Sequence, residues 1–196
     1  MSDLQKRIRR AMQPVAQAFD DLGVAYAVVG SVAGLSHGHG RNTTDVDVLA
    51  ELRVEHVDAI VRVLEGAYYA DAPSMKDAIR HQSSFNLFHF ETGIKVDVFV
   101  SKRTPYDVQV TSRREMESMS DGAPVFWVQT AEDLVLSKLR WFRMTNETSD
   151  RQWSDILAVL KVNCFYIDIA YLERWAKELR VDDLLVRALD ESGITP

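Results

Sequence analysis

Residues 43–49 alternate between polar and apolar side chains, in the order Thr-Thr-Asp-Val-Asp-Val-Leu. Because successive side chains of a strand point to opposite faces, Asp45 and Asp47 share one face and Val46 and Val48 share the other. The two aspartate Cα atoms are then roughly 7 Å apart, so both carboxylates can reach one metal site. The segment therefore predicts a half-buried strand with valines toward the core and a carboxylate pair on its opposite face.

A second alternation occurs at residues 94–100, Ile-Lys-Val-Asp-Val-Phe-Val, where the aliphatic residues share one face and Asp97 lies on the other. If this strand pairs beside the first, Asp97 joins Asp45 and Asp47. Three clustered carboxylates repel one another and raise their own pKa values, and divalent cations offset that repulsion. The set predicts a site for Mg²⁺ or Mn²⁺, with substrate phosphates as further ligands, suited to phosphoryl or nucleotidyl transfer.

A short apolar run at residues 24–29 precedes the carboxylate pair and ends at Gly30-Ser31, which predicts a buried strand followed by a short helix or turn from Ser31. Three segments follow one another along the chain: Val29-Gly30-Ser31-Val32-Ala33, then Arg41-Asn42-Thr43-Thr44-Asp45-Val46-Asp47-Val48, then Val96-Asp97-Val98-Phe99. In this combination they resemble the nucleotidyltransferases of the polymerase-β-like superfamily.

The resemblance implies a mixed twisted sheet flanked by helices, with Asp45, Asp47 and Asp97 as metal-binding and catalytic residues. It also implies that Gly30 and Ser31 approach a nucleoside triphosphate, with the amides of the following helix start facing its phosphates. Arg41 would either contact a phosphate or brace the loop.

The C-terminal half adds a lysine in an unusual position. Residues 131–144 form an amphipathic helix in which Lys138 lies at the centre of the apolar face. A lysine there must be paired, must extend its ammonium to solvent, or must point into a site. On the next helix, Arg151 and Asp155 are spaced as an exposed ion pair would be. The stretch from Glu132 to Lys138 and the later Asp155 resemble the AbiEii-type branch, which includes abortive-infection and toxin nucleotidyltransferases. This resemblance implies that Lys138 and Asp155 line the active site.

Periodicity assigns elements along most of the chain. It predicts helices at 3–21, 53–66, 75–82, 131–144, 150–161, 167–179 and 181–190, and strands at 24–29, 43–49, 84–90, 94–101 and 125–128, and leaves 104–124 unassigned. Strands mixed with helices, followed by helices alone, predict an α+β fold with a helical C-terminal half. We expect a catalytic α/β core at 1–128 and a helical subdomain at 129–196 that completes the active site.

Composition limits the partners. The 196-residue chain has a net charge of −6, which argues against a general nucleic-acid binder but allows a local basic groove for one RNA end. The single cysteine, Cys164, excludes an internal disulfide, and with no signal peptide or membrane span it predicts a cytoplasmic protein. His37 and His39 are interpreted as loop histidines near the phosphates, not as zinc ligands.

These observations predict transfer of a nucleoside monophosphate from an NTP to an acceptor hydroxyl, with release of pyrophosphate. The sequence leaves three kinds of acceptor possible: tRNA or other RNA, a small molecule, and a protein side chain. A toxin-like member would also have a cognate antitoxin. The alternative is a non-catalytic nucleotide-binding regulatory module.

Overall fold

The computed structural model describes residues 2–38, 43–118 and 125–194. Within these ranges the helices are α1 (Asp3–Asp21), α2 (Gly30–Ser36), α3 (Val57–Leu64), α4 (Ala72–Arg80), α5 (Pro105–Arg113), α6 (Ala131–Met144), α7 (Asp150–Asn163), α8 (Ile169–Glu178) and α9 (Asp182–Ser192). The strands are β1 (Tyr26–Val29), β2 (Asp45–Ala50), β3 (Tyr68–Tyr69), β4 (Ser84–His89), β5 (Lys95–Val100), β6 (Glu115–Ser118) and β7 (Val125–Val128). A 3-10 turn, Val54–His56, leads into α3.

The strands of the described ranges form one mixed sheet in the order β3-β4-β5-β2-β1-β7-β6. The pairs β2–β5 and β1–β7 are parallel, and the remaining neighbours are antiparallel. The parallel β2–β5 pair brings together two strands that are 45 residues apart at their closest, Ala50 and Lys95. The predicted α+β class and mixed sheet are confirmed.

One face of the sheet packs against α1, α3 and α4. Helix α1 begins with a capping box between Ser2 and Gln5, continues through Pro14, and buries apolar side chains at helical spacing. The alternate valines of β2 and β5 fill this core and are fully buried, which contributes roughly 1.5–3 kcal/mol each. Those valines are Val46, Val48, Val96 and Val98. The core therefore fixes which side chains β2 and β5 turn toward the opposite face.

Helices α5 to α9 form a second apolar core against the opposite face, where Ala27 of β1 is buried beneath them. Helix α6 begins at the Thr130 cap, whose hydroxyl accepts a hydrogen bond from the Asp133 amide. The helices cover this face over β1 and leave the polar side chains of β2 and β5 partly exposed. A polar surface is thus left open beside a helical wall.

No helix in the described ranges combines the length and the apolar character needed to cross a bilayer.

Three elements were missed in the sequence. Strand β3 has only two residues, and α5 and β6 lie in the stretch without a clear period. Helix α5 nevertheless carries a local start signal, because Thr104 and Asp107 form a capping box around Pro105. The first strand begins at Tyr26 and not at residue 24, since the Val24 amide closes the end of α1 by donating to the Phe19 carbonyl.

Candidate active site

The aspartates of β2 and β5 meet across the parallel pair. Asp47 lies directly opposite Asp97, and Asp45 lies opposite Lys95. All four side chains point away from the valine core and are partly exposed. The predicted pairing of the two strands, which brings Asp97 beside Asp45 and Asp47, is confirmed.

Lys95 is a site residue that the sequence analysis did not identify. Its ammonium is 2.9 Å from a carboxylate oxygen of Asp97 and 3.8 Å from one of Asp45. The hydrogen bond to Asp97 raises the pKa of Lys95, so the lysine is held in its charged form. The signal was available, because Lys95 and Asp97 are two residues apart on one strand and must share a face.

Asp47 carries the electrostatic strain of this cluster. Burial, with the charges of Asp97 and Asp45, raises the pKa of Asp47 from 3.8 to about 6, against the opposing effect of Lys95 and Lys138. Near neutral pH the ionised carboxylate is therefore less stable here than in water. A further cation at this position would relieve the repulsion.

The donor set fits a hard divalent cation, since carboxylate oxygens are the ligands that Mg²⁺ and Mn²⁺ prefer. Among the residues that the structure describes, no three acidic, histidine or cysteine side chains already converge as a metal-binding group. Lys95 contacts two of the three carboxylates and provides the neutralising charge. A metal bound at these oxygens has to share them with that ammonium or displace it.

Gly30 places the start of α2 against Asp47. Its φ is +65°, in the left-handed region, and a Cβ built on it would overlap the Asp47 carboxylate, with Asp47 Cγ at 3.1 Å. Only glycine meets both conditions without strain. The turn from β1 into α2 thus lets backbone approach the carboxylate cluster closely, with Ser31 following in the first turn of the helix.

Lys138 and Asp155 form a buried ion pair between α6 and α7. The Lys138 ammonium donates to an Asp155 carboxylate oxygen at 2.8 Å, and the two side chains are only 11% and 8% exposed. Of the alternatives open for Lys138, pairing is therefore the observed one. Asp155 is not part of an exposed surface pair; its carboxylate is turned inward to the lysine.

A cavity of about 300 Å³ lies between the sheet and helices α5 and α6. Gly30, Asp47 and Lys138 line it together, which joins residues far apart in the sequence. Most of the rest of its wall is apolar or aromatic. That part of the lining consists of Val29, Leu49, Phe99, Tyr106, Val110, Leu134 and Trp141.

Two sequence interpretations concern the loop after α2. Arg41 and His39 lie outside the described residues. His37 is buried at the end of α2, and its Nε2 is 2.7 Å from the Gln129 carbonyl oxygen. His37 therefore links α2 to the residue after β7 and is not a free loop histidine.

The fold is shared with solved nucleotidyltransferase structures. The chain is similar to an antigenic nucleotidyltransferase-like protein from Paracoccidioides brasiliensis, with a TM-score of 0.61 and 17% identity over 95% of this chain and 88% of that chain. It is similar to the antibiotic-resistance factor ANT(2'')-Ia in solution, with a TM-score of 0.56 and 13% identity over 95% and 98% of the two chains. For ANT(2")-Ia in complex with adenylyl-2"-tobramycin the values are 0.56 and 11%, over 88% and 96%.

No protein-family model matches the chain, and no curated protein matches it. The structural likenesses establish the polymerase-β-like nucleotidyltransferase fold.

Proposed function

We propose that this chain is a metal-dependent nucleotidyltransferase that moves a nucleoside monophosphate from an NTP to an acceptor hydroxyl and releases pyrophosphate. The observation that carries the proposal is the position of Asp47. It lies opposite Asp97 in the sheet and shares a cavity with Gly30 and Lys138. Carboxylates, a close backbone approach and a cation are what the triphosphate of a nucleotide requires.

Asp45, Asp47 and Asp97 would hold Mg²⁺ or Mn²⁺ through their carboxylate oxygens. Bound there, the ion supplies charge neutralisation for the triphosphate and for the oxygens that are exchanged at phosphorus. The raised pKa of Asp47 agrees with this role, because burial and the charges of Asp97 and Asp45 destabilise the ionised carboxylate more than the nearby lysines stabilise it.

The donor nucleotide lies on the helical side of the carboxylates in this proposal. Gly30 and Ser31 approach the triphosphate, and Lys138 neutralises phosphate charge while Asp155 holds its ammonium in place at 2.8 Å. The helical subdomain at 129–196 then completes a site whose carboxylates come from 1–128. Arg41, which was expected to contact a phosphate or brace the loop, lies outside the described residues.

The acceptor reaches the site along β4, the neighbour of β5 in the sheet. Asn86 and Phe88 of this strand are exposed and lie directly across from Asp97 and Lys95. Asp97 takes the proton of the acceptor hydroxyl while the oxygen of that hydroxyl bonds to the α-phosphorus. The bond from the α-phosphorus to the bridging oxygen breaks, and pyrophosphate leaves.

We propose an RNA end, such as that of a tRNA, as the acceptor. A second cavity of about 390 Å³ adjoins the first, and Trp141 and Arg140 line both while Lys102 lines the second alone. Trp141 is 52% exposed, so an aromatic ring and two cations are available to a base and its phosphates. The resemblance of the chain to the AbiEii-type branch adds a cognate antitoxin as a proposed partner, and the single cysteine favours the cytoplasm as the proposed location.

A small hydroxyl compound of the aminoglycoside kind is the second candidate acceptor. It is favoured by the structural likeness to ANT(2")-Ia, which was solved with adenylyl-2"-tobramycin, and by the net charge of −6, which suits a cationic substrate.

Label transfer tests the proposal. The purified protein is incubated with each α-labelled NTP, Mg²⁺ and total bacterial RNA, with RNase-treated and aminoglycoside-containing reactions alongside. We expect RNase-sensitive label on RNA, pyrophosphate release, and a steep loss of transfer with salt. Salt-insensitive label on the small molecule would identify that compound as the acceptor in place of RNA. Nucleotide binding without pyrophosphate release would indicate a regulatory module and contradict the assignment as an enzyme.

A further inference from the structure

Gln129, directly after β7, has a buried side chain whose hydrogen-bonding groups are unused. The residue is 0% exposed, and neither its Nε2 nor its Oε1 has a hydrogen-bond partner within the described part of the chain. Gln129 also lines the cavity that holds Gly30, Asp47 and Lys138. The mechanism proposed above assigns it no role.

The backbone of Gln129 is fixed on two sides, so the direction of its Cα–Cβ bond is set. Its amide donates to the Val28 carbonyl at 3.0 Å, and its carbonyl oxygen is 2.7 Å from His37 Nε2. Val128 points into the core beneath α1, and the next residue turns to the opposite face. That face carries the cavity and Asp47.

A buried amide without partners costs stability, since both groups have left water and gained nothing in return. An apolar residue at this position would avoid that cost, particularly beside neighbours such as Leu134 and Val29. An amide with both atoms free, in the wall of a candidate ligand cavity, is satisfied when a ligand supplies one acceptor and one donor.

The chemistry of the amide selects the part of the nucleotide. Nε2 donates and Oε1 accepts. Phosphate oxygens at neutral pH are acceptors, so a triphosphate satisfies Nε2 and leaves Oε1 without a partner. A ribose hydroxyl or a nucleobase edge offers a donor and an acceptor together. The largely apolar lining of the cavity also suits a base or a sugar better than a charged phosphate.

We propose that Gln129 binds the nucleoside moiety of the donor NTP through its side-chain amide. The inference rests on the proposed function, because it names a contact of the same donor site. It places the sugar or base between the end of β7 and α6, and leaves the phosphates to Gly30 and Lys138.

Gln129→Met tests the inference, because methionine keeps the unbranched shape and removes both polar atoms. Without ligand, we expect this variant to melt at or above the wild-type temperature. With Mg²⁺, its dissociation constant for the preferred NTP should rise about 10-fold or more, while that for tripolyphosphate stays unchanged. Gln152→Met is the matched control, since Gln152 Oε1 is also buried without a partner but does not line the cavity. This control should leave both dissociation constants unchanged.

Three results would overturn the inference while leaving the proposed function intact. The first is a lower melting temperature of ligand-free Gln129→Met, which would make the amide a structural group. The second is equal NTP affinity of variant and wild type. The third is an equal loss for tripolyphosphate and NTP, which would assign the amide to the phosphates. Failure of the wild-type chain itself to bind any NTP would instead overturn the proposed function.

Discussion

Asp47 and Asp97 lie directly opposite each other on neighbouring parallel strands, and burial, together with the charge of Asp97, raises the pKa of Asp47 to about 6. The backbone positions of these two aspartates cannot separate without breaking the β2–β5 register. The repulsion is therefore built into the sheet, and a bound cation has energy to gain by relieving it.

The first prediction concerns turnover. Asp45→Asn and Asp97→Asn should each lower the rate of pyrophosphate release from the preferred NTP about 100-fold or more, because each removes a charged ligand for the metal and triphosphate. Asp77→Asn, an exposed aspartate on α4, is the control and should retain full activity. Unchanged turnover in Asp45→Asn or Asp97→Asn would contradict the assignment of the cluster.

The second prediction concerns pH and the metal-free protein. The folded pKa of Asp47 is raised above its ordinary value of 3.8, so its contribution to stability is present below pH 4 and is lost as the pH rises through 6. Asp47→Asn removes the titrating carboxyl group and therefore the loss of stability at high pH. Since a pKa shift of one unit corresponds to about 1.4 kcal/mol, the substitution should stabilise the metal-free chain by up to about 3 kcal/mol at pH 8. Denaturant titrations in chelator at pH 4 and pH 8 measure this. An equal effect of the substitution at both pH values would show that the Asp47 carboxylate is not destabilised in the folded state.

The third prediction concerns Gly30. Gly30→Ala should destabilise the chain by more than Gly23→Ala, although both glycines have φ of +65°. At Gly23 a new Cβ meets nothing within 4 Å, so only the backbone cost of about 1 kcal/mol applies. At Gly30 the Cβ also overlaps Asp47, so NTP turnover should fall with stability. Thermal unfolding of the pair measures the difference, and similar losses would show that the close approach has no energetic consequence.

The fourth prediction concerns Lys95. Lys95→Met should bind Mn²⁺ about 10-fold more tightly than the wild type, because a cation that shares Asp45 and Asp97 with the metal has been removed. Lys76→Met, which breaks an exposed pair with Asp58, should leave Mn²⁺ affinity unchanged. Calorimetric titration of the nucleotide-free proteins with Mn²⁺ measures these affinities and does not depend on activity. Weaker binding in Lys95→Met would mean that the lysine organises the carboxylates for the metal.

The fifth prediction concerns the Lys138–Asp155 pair. Lys138→Met should cost about 3 kcal/mol of unfolding free energy, because it removes one of the two charges of a buried ion pair. Lys138→Met combined with Asp155→Leu should recover most of that stability but not the activity, since the cation at the phosphates is still absent. Arg10→Met, at an exposed pair with Glu91, should cost no more than about 1 kcal/mol. Recovery of activity in the double variant would limit Lys138 to a structural role.

Most of the fold could be predicted from the sequence because its elements have clear periods. The alternations of β2 and β5 and the apolar stripe of α1 each identify an element and the face it buries. Residues 104–124 have no such period, and helix α5 was missed although Thr104 and Asp107 cap it. The start of that helix is marked by local capping chemistry and not by an amphipathic pattern.

The candidate site was predictable where one strand or a known motif carries it, as with Asp45 and Asp47. Lys138 was identified as unusual from its helix alone, but its partner could not be, because the contact with Asp155 joins two helices. Lys95 and Gln129 were missed for different reasons. A lysine on a strand is normally a solvated side chain, and only the register shows that Lys95 lies opposite Asp45. The buried amide of Gln129 has no sequence signature at all.

The alternation in β2 and β5 also determines whether a chain folded with a shifted strand register can be stable. A slip of one residue in either strand would turn its aspartates into the apolar core and its valines into the polar face. Such a misregistered chain would bury ionised carboxylates and could not persist as a compact species. Molecules that complete folding therefore carry assembled carboxylates, and changes that shift the register of β2 against β5 should appear as loss of protein in the cell and not as an accumulation of folded but inactive chains.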